Sequence, residues 1–88
     1  MTLRIEKNSD GQNTILRLIG QIRSEYLEEL KSQINSSGPR AVLDLDEVTL
    51  VDVNVVRFLG VCQAQGIKVL NSSPYIREWM FREQDRKG

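Results

Sequence analysis

Ala41-Val42-Leu43-Asp44-Leu45-Asp46-Glu47-Val48-Thr49-Leu50-Val51-Asp52-Val53-Asn54 is the stretch on which the fold turns. Its first five residues are almost continuously apolar. A run of that length reads as a strand buried on both faces, as in the centre of an α/β sheet. Asp46-Glu47 reads as a turn, and Val48–Val51 as a short apolar run behind it. Asp52 or Asn54 then caps a helix, because a side-chain oxygen there meets the unpaired amides of the first turn. Val55, Leu59 and Cys62 follow at i, i+4 and i+7, the spacing of one inward helix face. Gly66 is placed to end that helix.

The flanks extend the pattern. Toward the N-terminus, Leu3, Ile5 and Lys7 alternate with Thr2, Arg4 and Glu6, a strand with one inward face. Asp10-Gly11 marks a hairpin turn. A second strand runs from Asn13 to about Ile19, and Gly20 breaks it. Ser24 reads as the N-cap of a helix whose inner stripe is Leu27, Leu30 and Ile34. That helix stops by Asn35, and residues 36–39 form a loop in which Pro39 biases Gly38 away from helical geometry. Toward the C-terminus, Ile67–Leu70 is a short strand. Ser73-Pro74 starts a last helix, with Ser73 as cap, Pro74 in the first turn and Ile76 and Met80 inward. Residues 82–88 read as a polar, frayed tail. The predicted order is β-β-α-β-α-β-α, an α/β fold with a mixed β-sheet flanked by helices, in one domain over residues 1–88.

Composition narrows the function. The 88 residues carry 12 basic and 12 acidic side chains, with 40% hydrophobic residues, a globular balance with room for one modest core. Zero net charge and no Lys/Arg run argue against nucleic acid. No apolar stretch approaches the ~20 residues of a membrane span. Met1–Asp10 lacks the apolar centre of a signal peptide, and a single cysteine cannot form an internal disulfide, so the expected location is cytoplasmic. Histidine is absent, which removes the commonest general base, nucleophile partner and metal ligand. No Gly-rich phosphate loop accompanies Lys68. The chain is expected to be no enzyme and to need no cofactor and no metal.

The ordered set of residues carries a resemblance. Ala41–Asn54, with an apolar strand ending in Asp-Leu and then a loop Asp before a helix, resembles the signature of the STAS domain, the fold of anti-sigma factor antagonists and of cytoplasmic domains of sulfate transporters. The likeness continues back through Leu18–Leu30 and forward through Gly66–Pro74, and covers most of residues 2–82. It implies a single STAS-like domain that acts in bacterial signalling and transcription regulation by binding proteins. Two departures accompany it. In the antagonists the residue after the loop Asp is a phosphorylated Ser or Thr, and here it is Val53, so the charge of about −2 cannot be added at that place. Family members also continue with another strand and helix, so the chain is expected to be a short form whose sheet edge or helix flank is covered by something else.

Candidate sites follow. Thr49, Asp52, Val53, Asn54 and Arg57 form the expected partner-binding surface, with Asn54 and Arg57 three apart on one exposed helix face and Val53 exposed at the helix entrance. The resemblance implies an anti-sigma kinase or related regulator as the partner. The alternative is an accessory subunit bound to the ATPase of an ABC transporter. Tyr75, Trp79 and Phe81 offer a possible second interface or a route to a homo-oligomer, against the plainer expectation that the last helix lies flat on the sheet and buries most of this surface. Asp44, Asp46, Glu47 and Asp52 are better read as turn and cap chemistry than as a cation or phospho-acceptor site, with Asp44 bonded to backbone amides. Cys62 reads as a buried, inert thiol, and Thr49, Ser72 and Ser73 as replacement phosphosites, of which Ser73 is better explained as a cap.

Overall fold

The alternation of Leu3, Ile5 and Lys7 becomes the first strand of a hairpin. In the computed structural model, which describes residues 3–38 and 40–85, β1 (Leu3–Ser9) pairs antiparallel with β2 (Thr14–Ile22), Ile5 opposite Leu18 and Lys7 opposite Leu16. The carboxylate of Asp10 closes the turn by accepting the Asn13 amide at 2.9 Å. A 3-10 turn over Ser24–Tyr26 leads into α1 (Leu27–Ser37), and then come β3 (Ala41–Val51), α2 (Val53–Ala64), β4 (Lys68–Leu70) and α3 (Pro74–Asp85). The sheet order is β1-β2-β3-β4, with β2, β3 and β4 parallel. The class and element order are those expected, a mixed α/β arrangement.

One core lies between the sheet and the helices. Leu16 and Leu18 of β2 and Leu43 and Leu45 of β3 point into it, where they meet Leu30 and Ile34 of α1, Val55 and Leu59 of α2, and Ile76 and Met80 of α3. Each fully buried Leu contributes about 1.5–3 kcal/mol through burial of apolar surface. Val42, one step out of phase, stands outside this cluster. The opposite sheet face carries half-buried Ile15, Arg17 and Asp44, with Arg17 paired to Glu47. Ala41–Leu45 is buried as expected except on the face away from the helices, where Val42 is still buried but Asp44 only half so.

Four boundaries also differ from the sequence reading. Gly20 does not end β2. Its φ of 101°, open to Gly without penalty, lies at a register shift against β3, and pairing resumes at Gln21 and Ile22. Asp46-Glu47 is not a turn. β3 passes through both residues, and the partners jump from Arg17↔Asp44 to Ile19↔Glu47, so an extra residue bulges from β3 and lets Asp46 and Glu47 both face solvent. Helix α1 runs two residues past Asn35, with the hydroxyls of Ser36 and Ser37 donating to the Gln33 carbonyl. The tail expected to fray from residue 82 is helical through Asp85, and residues 86–88, like Thr2 and Pro39, lie outside the described residues.

Helix α2 ends as expected. Gly66 takes φ 90°, its amide donates to the Gln63 carbonyl, and the Ile67 amide donates to the Cys62 carbonyl, both at 3.0 Å. This pair of bonds is the Schellman closure that a C′ glycine allows. Ser73 caps α3, its hydroxyl accepting the Ile76 amide at 3.2 Å.

Candidate functional site

The junction between β3 and α2 is organised by one carboxylate. Asp52 lies in extended backbone, φ −111° and ψ 177°, the geometry of an N-cap. Its Oδ1 accepts the Val55 amide at 3.0 Å. Its Oδ2 turns away from the helix and accepts both the Ser24 amide, at 2.8 Å, and the Ser24 hydroxyl, at 2.7 Å. The Asn54 side-chain amide then donates to Ser24 Oγ at 3.1 Å. The turn after β2 is thereby tied to the entrance of α2. Partial burial pushes the Asp52 carboxyl up, but the Ser24 hydroxyl and the amides of Val55, Ser24 and Asn54 together outweigh it and hold the carboxyl below its ordinary value.

Of the two cap candidates, Asp52 is the cap and Asn54 lies inside the first turn. Ser24 does not cap a helix with its side chain as expected. Residues 24–26 form a 3-10 turn, α1 starts after Tyr26 without a side-chain cap, and the Ser24 hydroxyl is spent on Asp52. Ser24 is the residue of this site that sequence reading assigns to the wrong task, because its partner is far away in the chain.

Thr49, Asn54 and Arg57 are exposed around this junction, whereas Val53 is half-buried and presents less surface than expected. Arg57 Nε donates to Glu83 at 2.9 Å, which links α2 to α3. The acidic residues are spread out. Asp44 Oδ1 accepts the Asp46 amide and the Asn71 side chain, each at 3.0 Å, and Glu47 faces Arg17. Among the described residues no group of three or more His, Cys, Asp and Glu side chains is placed to hold a metal ion.

On α3, the Tyr75 and Trp79 rings stack in a tilted pair 5.6 Å apart. Trp79 packs against the core, but Tyr75 is 59% and Phe81 70% exposed. The expectation that α3 buries most of its apolar surface is corrected, because only the stripe of Ile76 and Met80 reaches the core deeply. Cys62 is buried, and desolvation pushes its thiol up to about 11. A thiol so buried and shielded from ionisation is slow to react, so a disulfide reagent such as DTNB is expected to titrate no thiol in the native protein and one thiol in denaturant. Fast labelling of the folded chain would show that α2 opens.

Comparison with known proteins agrees with the geometry at the level of the fold. No family model and no curated protein matches the sequence. Among solved structures, the chain is similar to the anti-sigma factor antagonist SpoIIAA in its unphosphorylated form, with a TM-score of 0.69 and 15% identity over 92% of this chain and 81% of that one. The chain has the STAS-like fold of that antagonist. Among the described residues no helix is long and apolar enough to cross a membrane.

Proposed function

We propose that this chain is a non-catalytic protein-binding module of the bacterial cytoplasm that docks through residues 49–54 and the first turn of α2, as an anti-sigma factor antagonist-like regulator whose partner is an anti-sigma kinase or a related signalling protein. The observation that carries this reading is the Asp52–Ser24–Asn54 network. It ties the turn after β2 to the entrance of α2, and leaves Thr49, Asn54 and Arg57 exposed around that junction. A pre-organised surface loses little entropy on binding. The likeness in fold to an antagonist supports the same choice. Val53 has no hydroxyl, so this surface is not switched by a phosphoryl group at the usual position, and binding is constitutive or controlled elsewhere.

The test is affinity purification of the tagged protein from its native cells, with mass spectrometry of the captured proteins. A kinase or sigma regulator is expected with the wild type. Val53→Arg and Thr49→Arg are each expected to weaken its capture by about tenfold or more, while circular dichroism and the melting curve stay native. Capture kept by both variants would move the interface elsewhere. Recovery of a transporter ATPase in place of a regulator would replace the antagonist reading.

A further inference from the structure

An open trough of about 540 Å³ is lined by residues of α1 and α2. Its α1 wall is Leu27, Lys31 and Ile34, spaced by four and three residues. Its α2 wall is Asn54, Phe58, Val61 and Gln65, spaced in the same way. Each wall is thus a single helical stripe, the kind of surface that presents ridges and grooves to another helix. The trough follows the 12 residues of α2 from end to end, about 18 Å, or a little over three helical turns.

Its chemistry is asymmetric. The floor is apolar, formed by Ile34, Cys62, Ile67 and the half-buried ring of Phe58. Val61 stands on the wall 53% exposed. The charged residues that line it are Lys31 and Arg57, with no carboxylate among the lining side chains. The Lys31 ammonium reaches over the Phe58 ring, 5.9 Å from its centre, and so stands above the trough. Carboxylates outside the lining touch both cations, Glu28 at 3.9 Å from Lys31 and Glu83 at 2.9 Å from Arg57. Glu28 is 93% exposed and its long pair with Lys31 exchanges readily, whereas Glu83 is only 12% exposed and keeps Arg57 engaged.

We infer that this trough is the seat of an amphipathic helix from the protein partner, one whose apolar stripe is flanked by Asp or Glu. The apolar stripe fills the floor between Phe58 and Ile34, and a flanking carboxylate meets Lys31. The inference rests on the docking reading above, because Asn54 and Arg57 belong both to that surface and to the trough. It adds which element of the partner is held and what charge that element carries. An apolar small molecule is a poorer occupant, since the trough is open along its length where small-ligand sites enclose most of the ligand.

The probe is a synthetic helical peptide of about four turns, Leu along one stripe and Glu on both flanks, with a second peptide carrying Lys at every Glu position. Both are titrated into the isotope-labelled protein and followed by amide chemical shifts. The acidic peptide is expected to move amides of residues 27–35 and 54–65 and to leave the β1–β2 hairpin unmoved. The basic peptide is expected to bind at least about tenfold more weakly. Val61→Asp, at an exposed position that should not disturb folding, is expected to weaken the acidic peptide by about tenfold. Lys31→Glu is expected to weaken it by about threefold or more. Equal binding of the two peptides, or shifts outside the trough, would overturn the inference. So would shifts of the same amides that grow with protein concentration alone, which would seat a second copy there. A cellular partner lost by Val53→Arg but kept by Val61→Asp and Lys31→Glu would remove the trough and leave the docking surface standing. A partner kept by Val53→Arg and Thr49→Arg would remove the docking surface itself.

Discussion

Leu59→Ala is expected to lower the stability of the chain by about 3–4 kcal/mol, a loss of roughly 15–20 °C in melting temperature for a domain of this size. Leu59 is fully buried on the inner face of α2, one turn beyond Val55, in the cluster that also holds Met80 and Ile76 of α3 and the leucines of β3. The side chain is lost from a place where sheet and helices converge. The sheet beneath is held by its hydrogen-bonded ladder and cannot collapse into the gap, so a cavity term adds to the lost burial. A domain of 88 residues has only about 5–15 kcal/mol in total, and the variant would be partly unfolded near 40 °C if the parent sits at the low end. The internal control is Val61→Ala, two residues along the same helix but 53% exposed, which should change stability by no more than about 0.5 kcal/mol. Urea titration of the two variants side by side is the measurement. A loss below about 1.5 kcal/mol for Leu59→Ala would mean that α2 is not seated as described.

The gap between those two substitutions also marks what the sequence makes legible. Val55, Leu59 and Cys62 announce an inner face by spacing alone, and all three are buried. The two leucine pairs of β2 and β3 and the capping of α3 by Ser73 are equally local signals. The errors arise where a local rule meets a distant partner. Gly20 has the composition of a strand end, but pairing with β3 continues across it at a bulge. Asp46 and Glu47 break the period of two and look like a turn, yet a bulge sends both outward while the strand continues. No pattern within a window of ten residues reveals a bulge, because it is a property of two strands in register. Ser24 has the composition of a helix cap, and its hydroxyl goes to a residue 28 positions on. The trough is similar. Phe58 and Val61 are apolar residues of α2 outside the inner stripe, a visible surplus, but only the placement of α1 turns them into a wall. Sequence comparison meets the same limit: at 15% identity the likeness to a known antagonist lies in the arrangement of elements rather than in matched side chains.

Asp52→Ala is expected to destabilise the chain by about 2–3 kcal/mol at pH 7, more than the ~1 kcal/mol of an ordinary cap. The excess comes from the second oxygen. Removing the carboxylate leaves the Val55 amide uncapped and also strands the Ser24 amide and hydroxyl, both part-buried. Asp52→Asn keeps one acceptor for the cap but puts an amide NH2 where Oδ2 accepts Ser24, so it removes the charge together with the Ser24 bonds. The hydrogen bonds to Asp52 hold its folded value below the unfolded value of about 3.9. The charge-dependent stabilisation is therefore complete above about pH 5 and disappears as pH falls through the folded value. The urea-derived gap between wild type and Asp52→Asn should be constant from pH 7 to about 5 and shrink below about 4 toward the residual cost of the lost Ser24 bonds. A gap that persists undiminished at pH 2 would mean that the cost is geometric and that the carboxylate charge contributes nothing. Ser24→Ala completes a double-mutant cycle with Asp52→Ala. If one carboxylate ties two crossovers together, the cycle should show a coupling of about 1 kcal/mol or more, whereas two independent caps would add. That coupling matters for binding as well as for stability. A helix entrance fixed only by its own cap would fray under a partner, but one fixed from β2 as well keeps Asn54 and Arg57 in place. Ser24→Ala should then weaken partner capture although Ser24 itself lies half-buried beneath the surface.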